Sequence, residues 1–313
     1  MTPPFDPRHI RRAFSRSAGG YDAAAALQHE VEKRLLESLD YLGQRVPRVV
    51  LDVGSGPAHA AAAMRRRWPG ARVVALDLAL PMLRQAKKRS GWWRPLHRVC
   101  ADARALPIVE GTVDVLFTNL CLQWVDDLPA VFAGFRRVLR PGGLLLCSTF
   151  GPDTLIELRD AFAQADSVPH VSRFPAIAQF GDALTASGFR DPVLDRDRFT
   201  LTYPDLPALM RELRAMGATN ALRSRRRTLT GRARFAAASA AYETLRGADG
   251  ALPSTWEVIY AQAWAPQPGA PIRQGGGEVA AVPVSQIPIR RRSRHRRFSR
   301  VSAPASPAGC SSW

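Results

Sequence analysis

Between residues 48 and 149 short apolar runs alternate with helix-length segments, and glycine, proline or aspartate marks the junctions. Segments 48–52, 72–77, 97–100, 112–118 and 144–149 read as strands. Segments 58–68, 81–89 and 128–139 read as helices, the last stopped by Arg140-Pro-Gly-Gly143. Strands separated by helix-length connections form βαβ units, and their right-handed crossovers put a parallel sheet between two helical layers. The fold class expected is therefore α/β, a mostly parallel sheet with helices on both faces.

The flanks depart from this alternation. Residues 8–42 read as helix, because Ile10, Phe14, Ala18, Leu27, Val31, Leu35 and Leu39 recur at three- to four-residue steps between charges. Beyond 150, a helix over 153–165 and a strand over 193–201 precede a strand-free helical block over 206–241, then a last strand over 255–263. Open α/β sheets bind ligands at the C-terminal edge of their strands. A helical N-terminus and a helical insertion would both lie over that edge, as a lid and an acceptor site. The expected organisation is a helical lid segment over 1–44, a main domain over 45–264 with an insertion at about 204–248, and a tail over 265–313.

The chain has 313 residues, is 46% hydrophobic and carries a net charge of +17. That hydrophobic share excludes disorder throughout. No run approaches the ~18 apolar residues of a membrane helix, and no apolar secretory core follows the N-terminal arginines. Cys100, Cys121, Cys147 and Cys310 show neither CxxC spacing nor histidine partners at zinc distances, so no metal and a reducing, cytoplasmic setting are expected. Residues 261–313 contain eight Arg and one Glu, and the Pro/Gly/Ser-rich stretch there is expected to be disordered. A second basic cluster is Arg223, Arg225, Arg226, Arg227, Arg232 and Arg234. Such surfaces suit acidic partners: nucleic acid, an anionic membrane or an acidic carrier protein.

Chemistry concentrates where strands end. Val49-Val-Leu-Asp-Val-Gly-Ser-Gly-Pro-Ala58 runs a strand into a glycine turn and a helix. Gly54 and Gly56 allow close backbone approach to a nucleoside. His59 stands where the nicotinamide fingerprint needs its third glycine. Asp77 ends the second strand, where a carboxylate can accept from both ribose hydroxyls. Asp102 follows the third strand, placed to meet an adenine amino group, and Asn119 follows the fourth.

Taken together, LDVGSGPA, VVALDLALPMLRQA, CADARALP, DVLFTNLCLQW and RRVLRPGGLLL resemble the Rossmann-like class I S-adenosylmethionine-dependent methyltransferases. The resemblance implies S-adenosyl-L-methionine as cofactor and a seven-stranded sheet with an antiparallel last strand. By it, Asp52, Gly54 and Gly56 line the methionine end, Asp77 with Leu78 beside it holds the ribose, Asp102 and Ala103 contact adenine, and Asn119 lies near the methionine. Ala58 stands where the family usually has another glycine. Outside this core, RRAFSRSAGGYD, LCLQWVDDL, STFGPDTLIEL, HVSRF and MGATN resemble the malonyl-acyl-carrier-protein O-methyltransferases of biotin synthesis, the BioC family. That resemblance implies methyl transfer to the free carboxylate of malonyl-acyl carrier protein or malonyl-CoA. An ionised carboxylate needs no general base, which suits the lack of a Ser-His-Asp or paired-carboxylate constellation. It does need alignment and hydrogen-bond donors, and the candidates are Tyr21, Arg173 and Arg223. Besides a binding protein that holds the cofactor without turnover, two other readings compete. One is a methyltransferase-fold assembly factor or hydroxylase like the mitochondrial complex I assembly relatives, which share the GPDTLIELR-type stretch. The other is an RNA methyltransferase, suggested by the charge; base methylation is disfavoured because Asn119-Leu-Cys-Leu replaces an Asn-Pro-Pro-Tyr motif.

Overall fold

The computed structural model describes residues 4–89, 95–228 and 230–270, with the backbone of Ile272–Gln274 and Gly277–Val279. The expectation for residues 280–313 lies outside the described residues. Strands β1 (Val49–Val53), β2 (Arg72–Asp77), β3 (His97–Cys100), β4 (Val113–Thr118), β5 (Leu139–Phe150), β6 (Arg190–Tyr203) and β7 (Leu252–Trp264) form one sheet. Its order is β3-β2-β1-β4-β5-β7-β6. The first five strands are parallel, and β7 runs antiparallel to both β5 and β6. Strand order therefore reverses at β1, opening a crevice between β1 and β4.

Side-chain alternation along the strands divides the core. Leu51, Leu116 and Leu145 face α6 (Leu128–Val138) and α8 (Ile177–Ala186), where Phe132, Phe135 and Phe180 are fully buried. Val50, Val115 and Leu146 belong with Leu35 of α3 (Ala26–Glu37) and Met64 of α4 (His59–Arg67) in a second cluster. A third cluster joins Leu209 and Leu213 of α9 (Leu206–Ala215), Tyr242 of α10 (Arg232–Glu243) and Phe162 of α7 (Ile156–Ala165) to Trp256. The insertion is thus packed onto the far half of the sheet. Three helices start with an aspartate cap and a proline in the first turn: Asp6, Asp127 and Asp205 accept from the backbone N–H groups of His9, Ala130 and Ala208. These caps satisfy donors that a helix start leaves open.

Several expected elements differ in extent. The N-terminal helix divides into α1 (Pro7–Ser17), α2 (Tyr21–Ala24) and α3, with Gly19 and Gly20 at the break. The Arg140–Gly143 stretch lies inside β5 rather than before it. Val113 pairs with Leu139 and Val115 with Leu144, so extra residues bulge there, and Gly142 takes φ +68°. The helix expected over 153–165 starts at Ile156, after Leu155 in the left-handed region. The block expected over 206–241 is two helices separated by residues 216–231, with Gly217 at φ +80° just after the first helix. Helix α8 was not expected; Gly181 and a nearly uncharged sequence masked it.

Candidate active site

The crevice at the ends of β1, β2 and β4 is a cavity of about 770 Å³. Its floor is the turn after β1. Gly54 and Ser55 donate their N–H groups to the Leu76 carbonyl at 2.8 and 3.0 Å, tying the turn to β2. Gly54 has φ +70°, and a Cβ there would sit 2.6 Å from Cys121 Sγ. Only glycine fits. A Cβ on Gly56 would meet nothing within 4 Å, so that backbone faces open space.

Asp77 organises the next wall. Its carboxylate accepts from Gly56 N–H at 2.9 Å and Ala79 N–H at 2.7 Å, fixing the turn and the start of α5 (Leu80–Ala86). Burial pushes its carboxyl up to about 6, against the lowering effect of those two donors. Each oxygen keeps a lone pair for a hydroxyl donor. Asp102 and Ala103 stand beyond it in the same cavity. Burial would raise the Asp102 carboxyl, but Arg104, donating at 2.9 and 2.5 Å, holds it below the ordinary range. Asn119 is fixed between layers: its amide donates to Gln28 O at 3.0 Å, and its oxygen accepts from Ser148 Oγ at 2.7 Å.

The roof comes from the N-terminal segment. Phe14 of α1 meets Trp124 edge-to-face at 5.5 Å, and Tyr21 opens α2 on the cavity wall. Burial and the charge of Asp77 raise the Tyr21 hydroxyl, which therefore stays a donor at neutral pH. Burial, then Asp77, pushes the Cys121 thiol up to about 12, so it is not a competing nucleophile beneath the turn. Next to Tyr21, Asp22 takes Arg89 at 2.5 Å and His59 at 3.0 Å. Asp22, His29 and His59 offer ligand atoms within 4.8 Å of one another, but the Arg89 guanidinium already occupies that carboxylate.

The structure thus gathers Tyr21, Gly54, Gly56, Asp77, Leu78, Asp102, Ala103 and Asn119 around one cavity. Asp52 lies beneath it, 2% exposed, its carboxylate accepting from Ala61 N–H at 3.1 Å at the start of α4. Burial raises that carboxyl well above its usual range, reinforced by Glu32, which burial pushes up to about 7. Arg173 lines a separate cavity of about 1460 Å³, and Arg223 is exposed, its N–H bonded to Pro4 O at 2.7 Å. Neither borders the crevice. Sequence reasoning missed Arg104, Phe14, Met82 and Trp124 as cavity walls; the Asp102-x-Arg104 spacing was the one local signal available.

The adjoining cavity, about 980 Å³, shares Trp124 with the crevice and runs between α7, α9 and β7. Beyond it, Asp166 accepts from Arg226 at 2.9 Å and pairs with His170 at 3.1 Å; Arg226 and His170 hold its carboxyl far below the usual range. Arg225 pairs with Asp6 at 3.1 Å. Two of the six clustered arginines are therefore structural ties, while Arg223, Arg227, Arg232 and Arg234 are exposed.

A crevice at the switch point of a 3-2-1-4-5-7-6 sheet, with a glycine floor and a buried carboxylate at the end of β2, defines a Rossmann-like S-adenosyl-L-methionine-dependent methyltransferase. Residues 51–147 match the family model described as a methyltransferase domain. The fold is similar to a solved putative methyltransferase from Bacillus halodurans, at 18% identity and TM-score 0.54 over 74% of this chain and 99% of that one. It is also similar to the Haemonchus contortus phosphoethanolamine N-methyltransferase 2 solved with S-adenosyl-L-methionine, at 17% identity and TM-score 0.50 over 81% of this chain and 57% of that one. Over 289 residues the chain is 67% identical to the malonyl-[acyl-carrier protein] O-methyltransferase of Xylella fastidiosa (strain M23), covering 92% of this chain and 98% of the relative. It is 44% identical to the protein of that name from Gallionella capsiferriformans (strain ES-2), over 84% of this chain and 92% of the relative. The chain belongs to the malonyl-[acyl-carrier protein] O-methyltransferase family.

Proposed function

We propose that the enzyme methylates the free carboxylate of a malonyl thioester carried on acyl carrier protein or coenzyme A, giving the methyl ester that primes pimeloyl formation in biotin biosynthesis. One observation carries this reading most directly. The N-terminal segment that resembles this subfamily roofs the cofactor crevice and brings a neutral Tyr21 hydroxyl to its wall. When bound, S-adenosyl-L-methionine supplies an electrophilic methyl group on a sulfonium.

The chain's residues provide the rest. Asp77, Gly56 and the Ala103 backbone are suited to hold a nucleoside, since they combine a buried acceptor with backbone that open space approaches. An acceptor carboxylate, with reference pKa near 4, is ionised at pH 7. The site's tasks are then alignment and exclusion of water. Tyr21 can donate to the carboxylate, while Arg173 and Arg223 stand outside the crevice and would serve only an acceptor that reaches past it. Residues 1–44 and the insertion at about 204–248 act as lids in this reading, supported by α1 and α2 over the crevice. The exposed arginines of the 223–234 cluster suit an acidic carrier. The names of the relatives weigh against an assembly factor or an RNA substrate. No helix among the described residues is long and apolar enough to cross a membrane.

The test is to incubate purified protein with methyl-labelled cofactor and malonyl thioester. Label recovered as a base-labile ester on the thioester is expected. Label in RNA, or none despite bound cofactor, would overturn the assignment.

A further inference from the structure

Asp22 follows Tyr21 in the roof, yet its carboxylate is held by residues that do not line the crevice. One oxygen takes the Arg89 guanidinium at 2.5 Å, and the other meets His59 Nε2 at 3.0 Å. Arg89 also donates to the Pro57 carbonyl at 3.3 Å, and its own carbonyl accepts from Arg65 of α4 at 3.0 Å. Pro57 belongs to the glycine turn, and His59 is the first residue of α4. A guanidinium presents its donors in a fixed planar fork. Arg89 therefore holds the turn with one nitrogen and the roof with another. Gly56 N–H, one residue earlier in the turn, bonds Asp77 at 2.9 Å. The same turn is thus gripped twice, once by the carboxylate at the end of β2 and once by a group that also holds the roof.

The roof needs such a hold. Helix α2 is a single turn, far below the ~12 residues at which an isolated helix begins to stand alone, and none of its residues is fully buried. Tyr21 packs only from one side, against the cluster of Ala18, Ala79 and Met82. Gly19 and Gly20 precede it, and a Cβ on either would meet nothing within 4 Å, so packing there does not set the angle at which the chain enters α2. Partly exposed ion pairs add little to overall stability. What this one sets is local: the direction in which α2 carries the Tyr21 hydroxyl. Burial would raise the Asp22 carboxyl, but His59 and Arg89 hold it below its ordinary range, so the carboxylate stays charged at neutral pH.

We propose that Asp22, Arg89 and His59 form a clasp that positions Tyr21 for methyl transfer and, through Pro57, ties that position to the cofactor turn. Arg89 and His59 are positioning residues: neither borders the crevice, and both act through Asp22. The inference rests on the reading of Tyr21 as a donor to the acceptor carboxylate, and adds what sets that donor in place.

Four variants of the full-length protein test it: Asp22→Asn, Arg89→Met, Tyr21→Phe, and Asp22→Asn combined with Tyr21→Phe. Each is measured for kcat with malonyl-CoA, for S-adenosylhomocysteine affinity by calorimetry, and for amide hydrogen exchange over residues 18–25 in the S-adenosylhomocysteine complex. Asp22→Asn leaves the bond from Arg89 to Pro57 in place. Its kcat is expected to fall about ten-fold, with faster exchange over 18–25 but unchanged cofactor affinity and unfolding midpoint. Arg89→Met removes both bonds and should lower kcat and cofactor affinity together. With Tyr21→Phe already present, Asp22→Asn should cost little more, because the two residues act as one unit. Unchanged exchange in Asp22→Asn would overturn the clasp, as would a Tyr21→Phe protein as active as wild type. Equal losses of kcat and cofactor affinity in Asp22→Asn, or losses that multiply fully in the double variant, would overturn it by assigning Asp22 to the fold. Failure of the wild-type protein to methylate malonyl-CoA would instead remove the acceptor reading. The tie to the turn then stands or falls on the exchange rates and on the cofactor affinity of Arg89→Met, neither of which needs an acceptor.

Discussion

The two cavities, side by side, are built by different means. The cofactor crevice is made of backbone: a left-handed glycine turn, carbonyls at strand ends, and carboxylates placed where parallel strands stop. The second chamber is made of side chains from β7, α7, α9 and the loop before α8, segments up to about a hundred residues apart. Backbone geometry tolerates almost no substitution, whereas a side-chain wall can be retuned one position at a time. This contrast suggests how one sheet can keep its methyl donor while the acceptor changes.

The largest effect should come from the backbone. Gly54→Ala would drive a methyl into Cys121 at a φ that L-residues avoid. Cofactor affinity is expected to fall more than about a hundred-fold by calorimetry, a loss of roughly 3 kcal/mol, while circular dichroism stays native. Retained affinity would break the contrast at its strongest point.

Asp77 sharpens it next. Its ionised form is the better acceptor for ribose hydroxyls, and burial has raised its carboxyl to about 6. Cofactor affinity should therefore weaken as pH falls from 7 through 6. Asp77→Asn should bind roughly ten- to a hundred-fold more weakly and lose that pH dependence. A wild-type titration flat between pH 5 and 7.5 would contradict this.

On the chamber side, Arg226→Met would leave the nearly buried Asp166 carboxylate with only His170 and the Val168 N–H. A lower midpoint in denaturant unfolding is expected, with cofactor affinity unaffected. The direction with pH follows from Asp166, whose carboxyl is lowered in the fold. Its contribution is present above the ordinary value near 4 and disappears on acidification below it. The smallest effect belongs to the surface. Arg227→Glu with Arg234→Glu should cut kcat/KM for the carrier-bound acceptor several-fold at low salt and leave a small thioester untouched. Identical losses for both acceptors would remove the docking role.

The same contrast explains what the amino-acid order revealed. The placement of the β1 turn, Asp77 and Asp102 around one cavity was legible because strand-end geometry is local: a few adjacent residues specify both the turn and the carboxylate beside it. The bulge at Gly142 was not, since a Pro-Gly-Gly reads as a loop until its pairing partner is known. Asp52 carried the right residue type at a strand end, yet its carboxylate turned under the turn to Ala61. Trp256, Gln123 and Arg214, which line the second chamber, gave no signal, because nothing near them in sequence marks a cavity made by distant packing.

One feature of the cover links both halves. Asp6 N–H bonds Ala221 O at 2.9 Å, Arg223 N–H bonds Pro4 O at 2.7 Å, and Arg225 pairs with Asp6, so the start of the chain is stitched to the insertion more than two hundred residues later. The two flaps cannot swing independently. Whatever unlatches the roof for one guest loosens it for the other, so trimming the first six residues should speed the escape of both.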